Sequence, residues 1–222
     1  ERVDGALIAG AFSGAVVERL ASAAGDRPLV ACTAHAGGAY DTLVPDYVEA
    51  GRLAARHILE CVRNEVSAVL YVHARASESD GQRREGFNEA FRAAGGVPDA
   101  ITIQVPAAQG GDTSRLEPVR ARLPEVRGVV ASDDLLAVEL MALAMQMGRQ
   151  PGRDIAIMGH GNERIGQRIT PHLTTIDFCG EELGRRAMEM ALQRITKTRR
   201  DAPQRILVPP LLVERDSTRK QS

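Results

Sequence analysis

Residues 128–183 constrain the fold most, because they alternate between strand and helix patterns and carry polar residues where two strands end. The apolar run 128–131 stops at Asp133 and Asp134, and an apolar periodicity typical of a helix follows. A second apolar run, 155–158, opens into a Gly-His-Gly-Asn segment. The carboxyl ends of strands form the ligand crevice of an open parallel sheet, so these polar residues are candidate site residues. The alternative is that the two aspartates only cap the helix.

The rest of the chain repeats this alternation. Strand patterns are predicted at residues 3–9, 28–32, 42–47, 67–73, 101–105 and 206–213, and helices at 13–24, 48–62, 81–94, 113–123 and 179–195. The sequence therefore predicts an α/β fold with largely parallel sheets and right-handed crossovers. Two prolines in the last strand remove ladder donors, which favours an edge or a bulge. Small residues in the helix 48–62, including Gly51, predict close packing of that helix.

The charge balance limits the classes of partner. Lys and Arg number 28 and Asp and Glu 29 among 222 residues, a formal net charge of −1. This argues against a main surface that binds nucleic acid, because phosphate binding relies on clustered positive charge. No apolar run approaches the roughly 18 residues of a membrane span. A soluble, cytoplasmic chain without a membrane partner is therefore expected.

Common catalytic and metal-binding patterns are absent from the sequence. Cys32, Cys61 and Cys179 show no CxxC spacing, so buried thiols are expected rather than a disulfide framework or a zinc site. The chain contains no GxGxxG after a strand and no GxxxxGK[ST], GxSxG or HExxH. We therefore expect no catalytic residue, no metal and no cofactor, and the chain is not predicted to be an enzyme.

A few polar residues are candidates for ligand contact. His73 and His160 each end a predicted strand, where they either contact a ligand or line the crevice incidentally. Arg83 and Arg84 lie in the first turns of the helix 81–94. A cation there is disfavoured by the helix dipole unless an anion or a carboxylate faces it. One of these arginines is therefore a candidate ligand group, and the alternative is a solvated surface position.

An ordered set of short motifs runs through nearly the whole chain. In residues 128–183 the set comprises Ser132-Asp133-Asp134-Leu135-Leu136-Ala137, Met147-Gly148, Pro151-Gly152-Arg153-Asp154-Ile155-Ala156-Ile157, Gly159-His160-Gly161 and Pro171-His172-Leu173-Thr174-Thr175-Ile176. Elsewhere it comprises Val3-Asp4-Gly5, residues 46–51, Arg83-x-x-Gly86-Phe87, Leu183-Gly184 with Ala187, and Leu212-Val213-Glu214-Arg215-Asp216-Ser217-Thr218. Together these motifs resemble the effector-binding core of the LacI/GalR family of bacterial transcription repressors.

The resemblance implies a periplasmic-binding-protein-like α/β fold, with two doubly wound parallel-sheet subdomains and the ligand cleft between them. The expected division is an N-terminal subdomain of residues 1–45 and 177–198, a C-terminal subdomain of 46–176 and 199–218, and a tail of 219–222. The chain would cross between subdomains for a third time near 197–204. Family members begin with a helix-turn-helix domain and a hinge helix, which are missing before Glu1. The resemblance therefore implies an N-terminally truncated core.

The same resemblance implies function and partners. The core would sense a small effector, form a homodimer, and act on operator DNA through an N-terminal domain absent from this chain. A periplasmic sugar-binding protein of a transport system is the alternative from another class. A doubly wound enzyme is a third, which the missing catalytic patterns disfavour.

Seven residues are predicted to bind the ligand. The expected class of effector follows from positions at which this sequence differs from the family's pattern. The candidates are Phe12, Asp46, His73, Arg83, Asp133, His160 and Gly161. Asp133 replaces the family's Asn, Glu139 a Gly, and Gly161 an Asp that bonds ligand hydroxyls in sugar-binding members. The run 159–167 looks more like the gluconate-operon repressors of the family. A small sugar acid is therefore the leading expectation, and a neutral sugar the second.

Overall fold

The computed structural model describes residues 3–10, 12–34, 38–74, 77–108 and 113–219. Its strands are β1 (Ala6–Ala9), β2 (Leu29–Cys32), β3 (Asp41–Pro45), β4 (Val69–His73), β5 (Thr102–Gln104), β6 (Gly128–Ala131), β7 (Ala156–His160), β8 (Thr174–Asp177), β9 (Arg205–Val208) and β10 (Leu211–Val213). Its α-helices are α1 (Gly14–Ala24), α2 (Tyr47–Cys61), α3 (Glu78–Ala93), α4 (Pro98–Ile101), α5 (Glu117–Arg122), α6 (Asp134–Gln146) and α7 (Gly180–Ile195). The chain forms two compact units: unit 1 comprises Glu1–Asp46 and Cys179–Pro209, and unit 2 comprises Tyr47–Phe178 and Pro210–Ser222.

Unit 1 is built on a four-stranded parallel sheet in the order β1-β2-β3-β9. Successive residues of a strand point to opposite faces, and β2 shows the consequence. Val30 packs in one buried cluster with Ala187 and Met190 of α7, whereas Ala31 packs in another with Val17 of α1. The sheet therefore lies between α1 and α7.

Unit 2 contains a six-stranded sheet in the order β10-β8-β7-β6-β4-β5. All neighbours are parallel except β10, which runs antiparallel to β8 at one edge. Leu70 belongs to a buried cluster that includes Leu140 of α6, whereas Tyr71 belongs to one that includes Ile58 of α2 and Phe87 of α3. Helices thus cover both faces, and the parallel α/β prediction is confirmed for this sheet.

Helices α2 and α3 approach each other backbone to backbone. A Cβ atom added at Gly51 would lie 1.8 Å from the carbonyl oxygen of Arg83, and one added at Gly86 would lie 1.8 Å from that of Val48. Two glycines, one on each helix, therefore permit the contact, which confirms the predicted close packing of α2. The contact also fixes the position of the α3 turn that carries Arg83.

Replacement of Gly86 by alanine is expected to lower the free energy of unfolding by about 2 kcal/mol, because the added methyl group overpacks the helix contact. Gly81 provides a matched control on the same helix, since a Cβ there would meet nothing within 4 Å. Gly81→Ala is expected to leave stability unchanged or raise it by about 0.5–1 kcal/mol through helix propensity. Urea unfolding of both variants, followed by circular dichroism, measures the difference. Equal effects at the two positions would contradict the tight contact.

The prediction of one last strand over 206–213 is wrong. Strand β9 lies parallel to β3 in unit 1, and β10 lies antiparallel to β8 in unit 2. Pro209 and Pro210, which have no amide hydrogen to donate to a ladder, separate the two strands. The third crossing of the chain lies here and not at 197–204, so residues 199–209 belong to unit 1.

Some helix boundaries also differ from the predicted ones. Helix α3 begins before residue 81 because the Ser77 side chain accepts a hydrogen bond from the amide of Asp80 at 3.1 Å and caps the helix. The helix predicted over 113–123 is reduced to α5, with a 3-10 turn on each side. Among the helices of the described ranges, none combines the length and the apolar character that a bilayer crossing needs.

Candidate functional site

Three of the predicted side chains follow the carboxyl ends of neighbouring parallel strands in unit 2. His73 is the last residue of β4, Asp133 follows β6 closely, and His160 is the last residue of β7. Because β6 lies between β4 and β7, all three residues share one edge of the sheet. The two histidines are buried, with exposures of 3% and 2%.

Charged side chains of α3 face this edge. Asp80 Oδ2 lies 3.5 Å from His73 Nδ1, and Asp80 Oδ1 lies 3.6 Å from Arg83 Nη2. Arg84 Nη1 lies 3.3 Å from His73 Nε2. Burial raises the pKa of Asp80, the positive charge of Arg83 opposes that rise, and the carboxylate of Asp133 adds to it. A carboxylate therefore faces Arg83, as the helix dipole argument required.

The guanidinium of Arg83 is held between two aromatic rings. Its Cζ atom lies 5.6 Å from the ring centroid of Tyr47 and 5.6 Å from that of Phe178, within the range of cation–π attraction. The two rings meet edge to face, with centroids 5.2 Å apart and an interplanar angle of 74°. Tyr47 begins α2 and Phe178 follows β8, so two distant segments together restrict the orientation of this arginine.

Two buried atoms of the charged pair Asp80–Arg83 lack hydrogen-bond partners among the residues that the structure describes. They are Nε of Arg83 and Oδ1 of Asp80, on side chains that are 10% and 4% exposed. A buried donor or acceptor without a partner costs about 1–3 kcal/mol. A polar ligand that brings both an acceptor and a donor would satisfy the two atoms together.

His160 contributes an uncharged ring to the same edge. Its Nδ1 atom lies 2.9 Å from the carbonyl oxygen of Ala131, to which it can only donate, so this nitrogen carries the proton. The ring stacks on Phe178 with a centroid distance of 6.4 Å. Burial, together with the positive charge of Arg83, lowers the pKa of His160 to about 3. The imidazole is therefore neutral around pH 7.

The two aspartates after β6 have different local roles. Asp133 caps α6, with Oδ1 accepting a hydrogen bond from the amide of Leu136 at 2.9 Å. Asp134 is fully buried and accepts hydrogen bonds from the Thr175 hydroxyl at 2.5 Å and the Glu163 amide at 2.7 Å. Burial raises the pKa of Asp134 to about 6. Asp133 therefore caps α6, and its role as a ligand contact stays a prediction. Asp134 ties the start of α6 to the segments around β7 and β8.

Gly161 has a backbone reason to lack a carboxylate. Its φ angle is +128°, a conformation that residues with a side chain rarely adopt. Its amide donates a hydrogen bond to the carbonyl oxygen of Ile176 at 2.8 Å, which holds the segment in place. An aspartate at this position would therefore need a different backbone path after β7.

Sequence reasoning missed three residues of this group: Asp80, Tyr47 and Phe178. Asp80 precedes Arg83 by about one helical turn, and that spacing was the available signal. Tyr47 and Phe178 gave no comparable signal, because they lie at opposite ends of the segment Tyr47–Phe178 and meet only in the folded structure.

Two predicted ligand residues, Phe12 and Asp46, belong to unit 1. Phe12 follows β1 and is exposed. The amide of Asp46 donates a hydrogen bond to the carbonyl oxygen of Val208 at 2.9 Å, which fixes the backbone after β3. Their roles as ligand contacts stay predictions.

Comparison with known protein sequences relates the chain to bacterial regulators. The profile of the periplasmic binding protein-like domain matches residues 67–218. The HTH-type transcriptional repressor PurR of Edwardsiella ictaluri (strain 93-146) is 30% identical over 178 residues, which cover 80% of this chain and 51% of that protein. The chain therefore spans about half the length of the curated relatives it matches.

Solved structures of similar fold cover nearly all of this chain. A LacI family transcriptional regulator from Enterococcus faecium with bound ribose has a TM-score of 0.78 and 26% identity, covering 99% of this chain and 81% of that one. A LacI family regulator from Enterococcus faecalis V583, also with bound ribose, has a TM-score of 0.76 and 25% identity, covering 100% of this chain and 80% of that one. These similarities confirm the predicted fold class.

Proposed function

Because the chain belongs to the family of periplasmic binding protein-like domains, we propose that it is the effector-sensing and dimerisation core of a LacI-type bacterial transcriptional repressor. The effector is a small sugar or sugar acid, and its binding modulates the affinity for operator DNA. Support comes from the PurR repressors among the relatives and from the two LacI family regulators that hold ribose.

One observation carries the proposal of a polar effector at the strand ends of unit 2. Arg83 Nε and Asp80 Oδ1 are buried at this edge without hydrogen-bond partners in the described part of the chain. A sugar hydroxyl both donates and accepts, so a pair of adjacent hydroxyls suits a guanidinium and a carboxylate together. His73 and His160 add buried polar groups that can orient a small ligand, and the ring of His160 brings no charge.

The charges at this edge favour a sugar acid over a neutral sugar. Arg83 can form a bidentate pair with a ligand carboxylate, and Gly161 brings no carboxylate to repel it. Asp133 is nearby, but its Oδ1 atom already accepts the amide of Leu136. Asp80 is the opposing group, because its carboxylate faces Arg83 at 3.6 Å and competes for the same cation. A neutral sugar such as ribose is therefore the second candidate.

The partners follow from the same proposal. A repressor core acts as a switch only if the effector has different affinities for two arrangements of the protein. A homodimer matches the two-fold symmetry of an operator, which a repressor of this type binds through a separate DNA-binding domain. A transcription regulator acts in the cytoplasm, where bacterial DNA lies.

Two other functions have less support. A periplasmic sugar-binding protein of a transport system would share the fold, but the relatives and solved structures described above are transcription regulators. The names of those relatives indicate no catalytic activity, and the sequence contains none of the catalytic patterns named above. We therefore propose a binding function without turnover.

Isothermal titration calorimetry of this chain with matched ligand pairs tests the proposal. Ribose is compared with ribonate, and glucose with gluconate. We expect saturable binding within this panel, with the acid of a pair bound about tenfold more tightly. A tenfold difference in affinity corresponds to about 1.4 kcal/mol, which one charge-assisted hydrogen bond can supply. Tight binding of a neutral sugar and of no acid would reject the sugar-acid class. Absence of binding across the panel would count against the effector-sensing function.

A further inference from the structure

A cavity in unit 2 lies at the edge of the sheet opposite the residues that end β4 and β7. Its volume is about 500 Å³, and it is lined by Cys61, Arg63, Arg127, Arg153 and Arg219, among others. Arg127 directly precedes β6 and Ala156 begins β7, so the cavity opens at the amino ends of these strands. Its residues are therefore separate from those that end β4 and β7.

The cavity has an excess of positive charge. Four arginines line the cavity. Among the lining residues that the structure describes, Asp154 is the one with a carboxylate. Arg127 is ion-paired with Glu65, Arg219 Nη1 lies 3.4 Å from Asp216, and Arg153 Nε lies 3.9 Å from Asp154. Arg63 forms no ion pair within the described ranges. Clustered cations in a concave site raise the local concentration of anions.

Cys61 faces this cavity with a histidine beside it. The Sγ atom lies 3.7 Å from Nε2 of His57, and the thiol donates a hydrogen bond to the carbonyl oxygen of Thr218 at 3.5 Å. His57 is buried, and its Nε2 atom also lies 2.8 Å from the Thr218 hydroxyl, which fixes the ring. Cations near a cysteine favour the thiolate, which is the nucleophilic form of the side chain.

We propose that Cys61 is a thiol–disulfide exchange site whose ligand is the disulfide of a small thiol that carries carboxylates. The arginines bind the carboxylates, and the Cys61 proton passes to solvent water. The thiolate attacks one sulfur of the ligand, a bond forms between that sulfur and Sγ, and the ligand disulfide breaks. The second half of the ligand leaves with the electron pair as a thiolate and takes up a proton. Cys61 is thereby oxidised to a mixed disulfide, and the leaving half is reduced to a thiol.

The other two cysteines lack this environment and serve as internal references. Cys32 is buried in the core of unit 1, and burial raises the pKa of its thiol. Cys179 is partly exposed, but Glu181 and Glu182 follow it in the first turn of α7 and repel an anionic ligand. The proposal therefore predicts selective modification of Cys61.

The experiment treats the full chain with oxidised glutathione and, in parallel, with the neutral hydroxyethyl disulfide. Peptide mass spectrometry then measures the rate of adduct formation at each cysteine. At low salt, oxidised glutathione is expected to modify Cys61 about tenfold faster than Cys179, because cavity cations attract the ligand and stabilise the thiolate. The ratio of the rate at Cys61 to the rate at Cys179 should fall when salt is added, and it should be lower with the neutral disulfide than with oxidised glutathione. Equal rates at Cys61 and Cys179 would overturn the proposal.

Charge variants test whether the arginines bind the ligand. Arg63→Gln combined with Arg153→Gln is expected to slow the reaction of Cys61 with oxidised glutathione by about fivefold and to change its reaction with hydroxyethyl disulfide much less. Arg92→Gln removes an exposed arginine of α3, outside the cavity lining, and is expected to change neither rate. An undiminished preference for oxidised glutathione in the double variant would exclude an anionic ligand at this cavity.

Discussion

Arg83→Ala is expected to weaken effector binding by roughly tenfold to a hundredfold, with about 1.4 kcal/mol for each decade of affinity. The rings of Tyr47 and Phe178 hold the guanidinium in one orientation, so little entropy is lost when a ligand pairs with it. A charge-assisted hydrogen bond from such a group contributes about 1.5–3 kcal/mol. Calorimetry with the tightest ligand of the sugar panel measures the change.

Two further variants separate ligand recognition from stability. Arg83→Lys keeps a positive charge beside Asp80 but loses the planar pair of donors, so an intermediate loss of affinity is expected. Arg92→Ala removes an exposed arginine from the same helix and should leave affinity unchanged. If Arg83→Ala unfolds the chain, the lysine variant carries the test. Wild-type affinity in a folded Arg83→Ala would place the effector site elsewhere.

The strand ends of unit 2 could be predicted because they depend on local patterns. His73, Asp133 and His160 each follow a short apolar run, and alternating strands and helices make neighbouring parallel strands end at one edge. The pairing of Asp80 with Arg83 was harder to predict, since it required the helix to begin before residue 81. At that start, the side chain of Ser77 accepts the amide of Asp80 and its carbonyl oxygen accepts the amide of Gly81.

Features that depend on distant contacts could not be predicted from local patterns. Strands β9 and β10 look like one apolar run, and only their pairing with β3 and β8 assigns them to different units. Gly161 is a similar case, because the sequence showed a missing carboxylate but not the backbone angle of +128° that disfavours one. The close approach of Gly51 to the Arg83 backbone likewise joins α2 and α3, and no local pattern in the sequence indicates that these two helices pack together.

Asp41→Ala is expected to lower the free energy of unfolding by about 3–5 kcal/mol, the usual cost of removing one partner from a buried ion pair. Asp41 is 3% exposed at the start of β3 and accepts hydrogen bonds from Arg194 Nε at 2.7 Å and Nη2 at 2.9 Å. Its Oδ1 atom also accepts the amide of Gln204 at 2.9 Å. The carboxylate thus joins the end of α7 to the segment that leads into β9, and its loss leaves Arg194 without its buried partner.

Asp201→Ala is the matched control for this prediction. Asp201 also faces Arg194, at 3.3 Å, but its side chain is 43% exposed, so the expected loss is below about 1 kcal/mol. Replacing both members of the buried pair, with Asp41→Leu and Arg194→Met, is expected to cost less than Asp41→Ala alone, because no buried charge is then left unpaired. Urea unfolding of the single and double variants measures these differences. An Asp41→Ala loss no larger than that of Asp201→Ala would show that the contact does not hold unit 1 together.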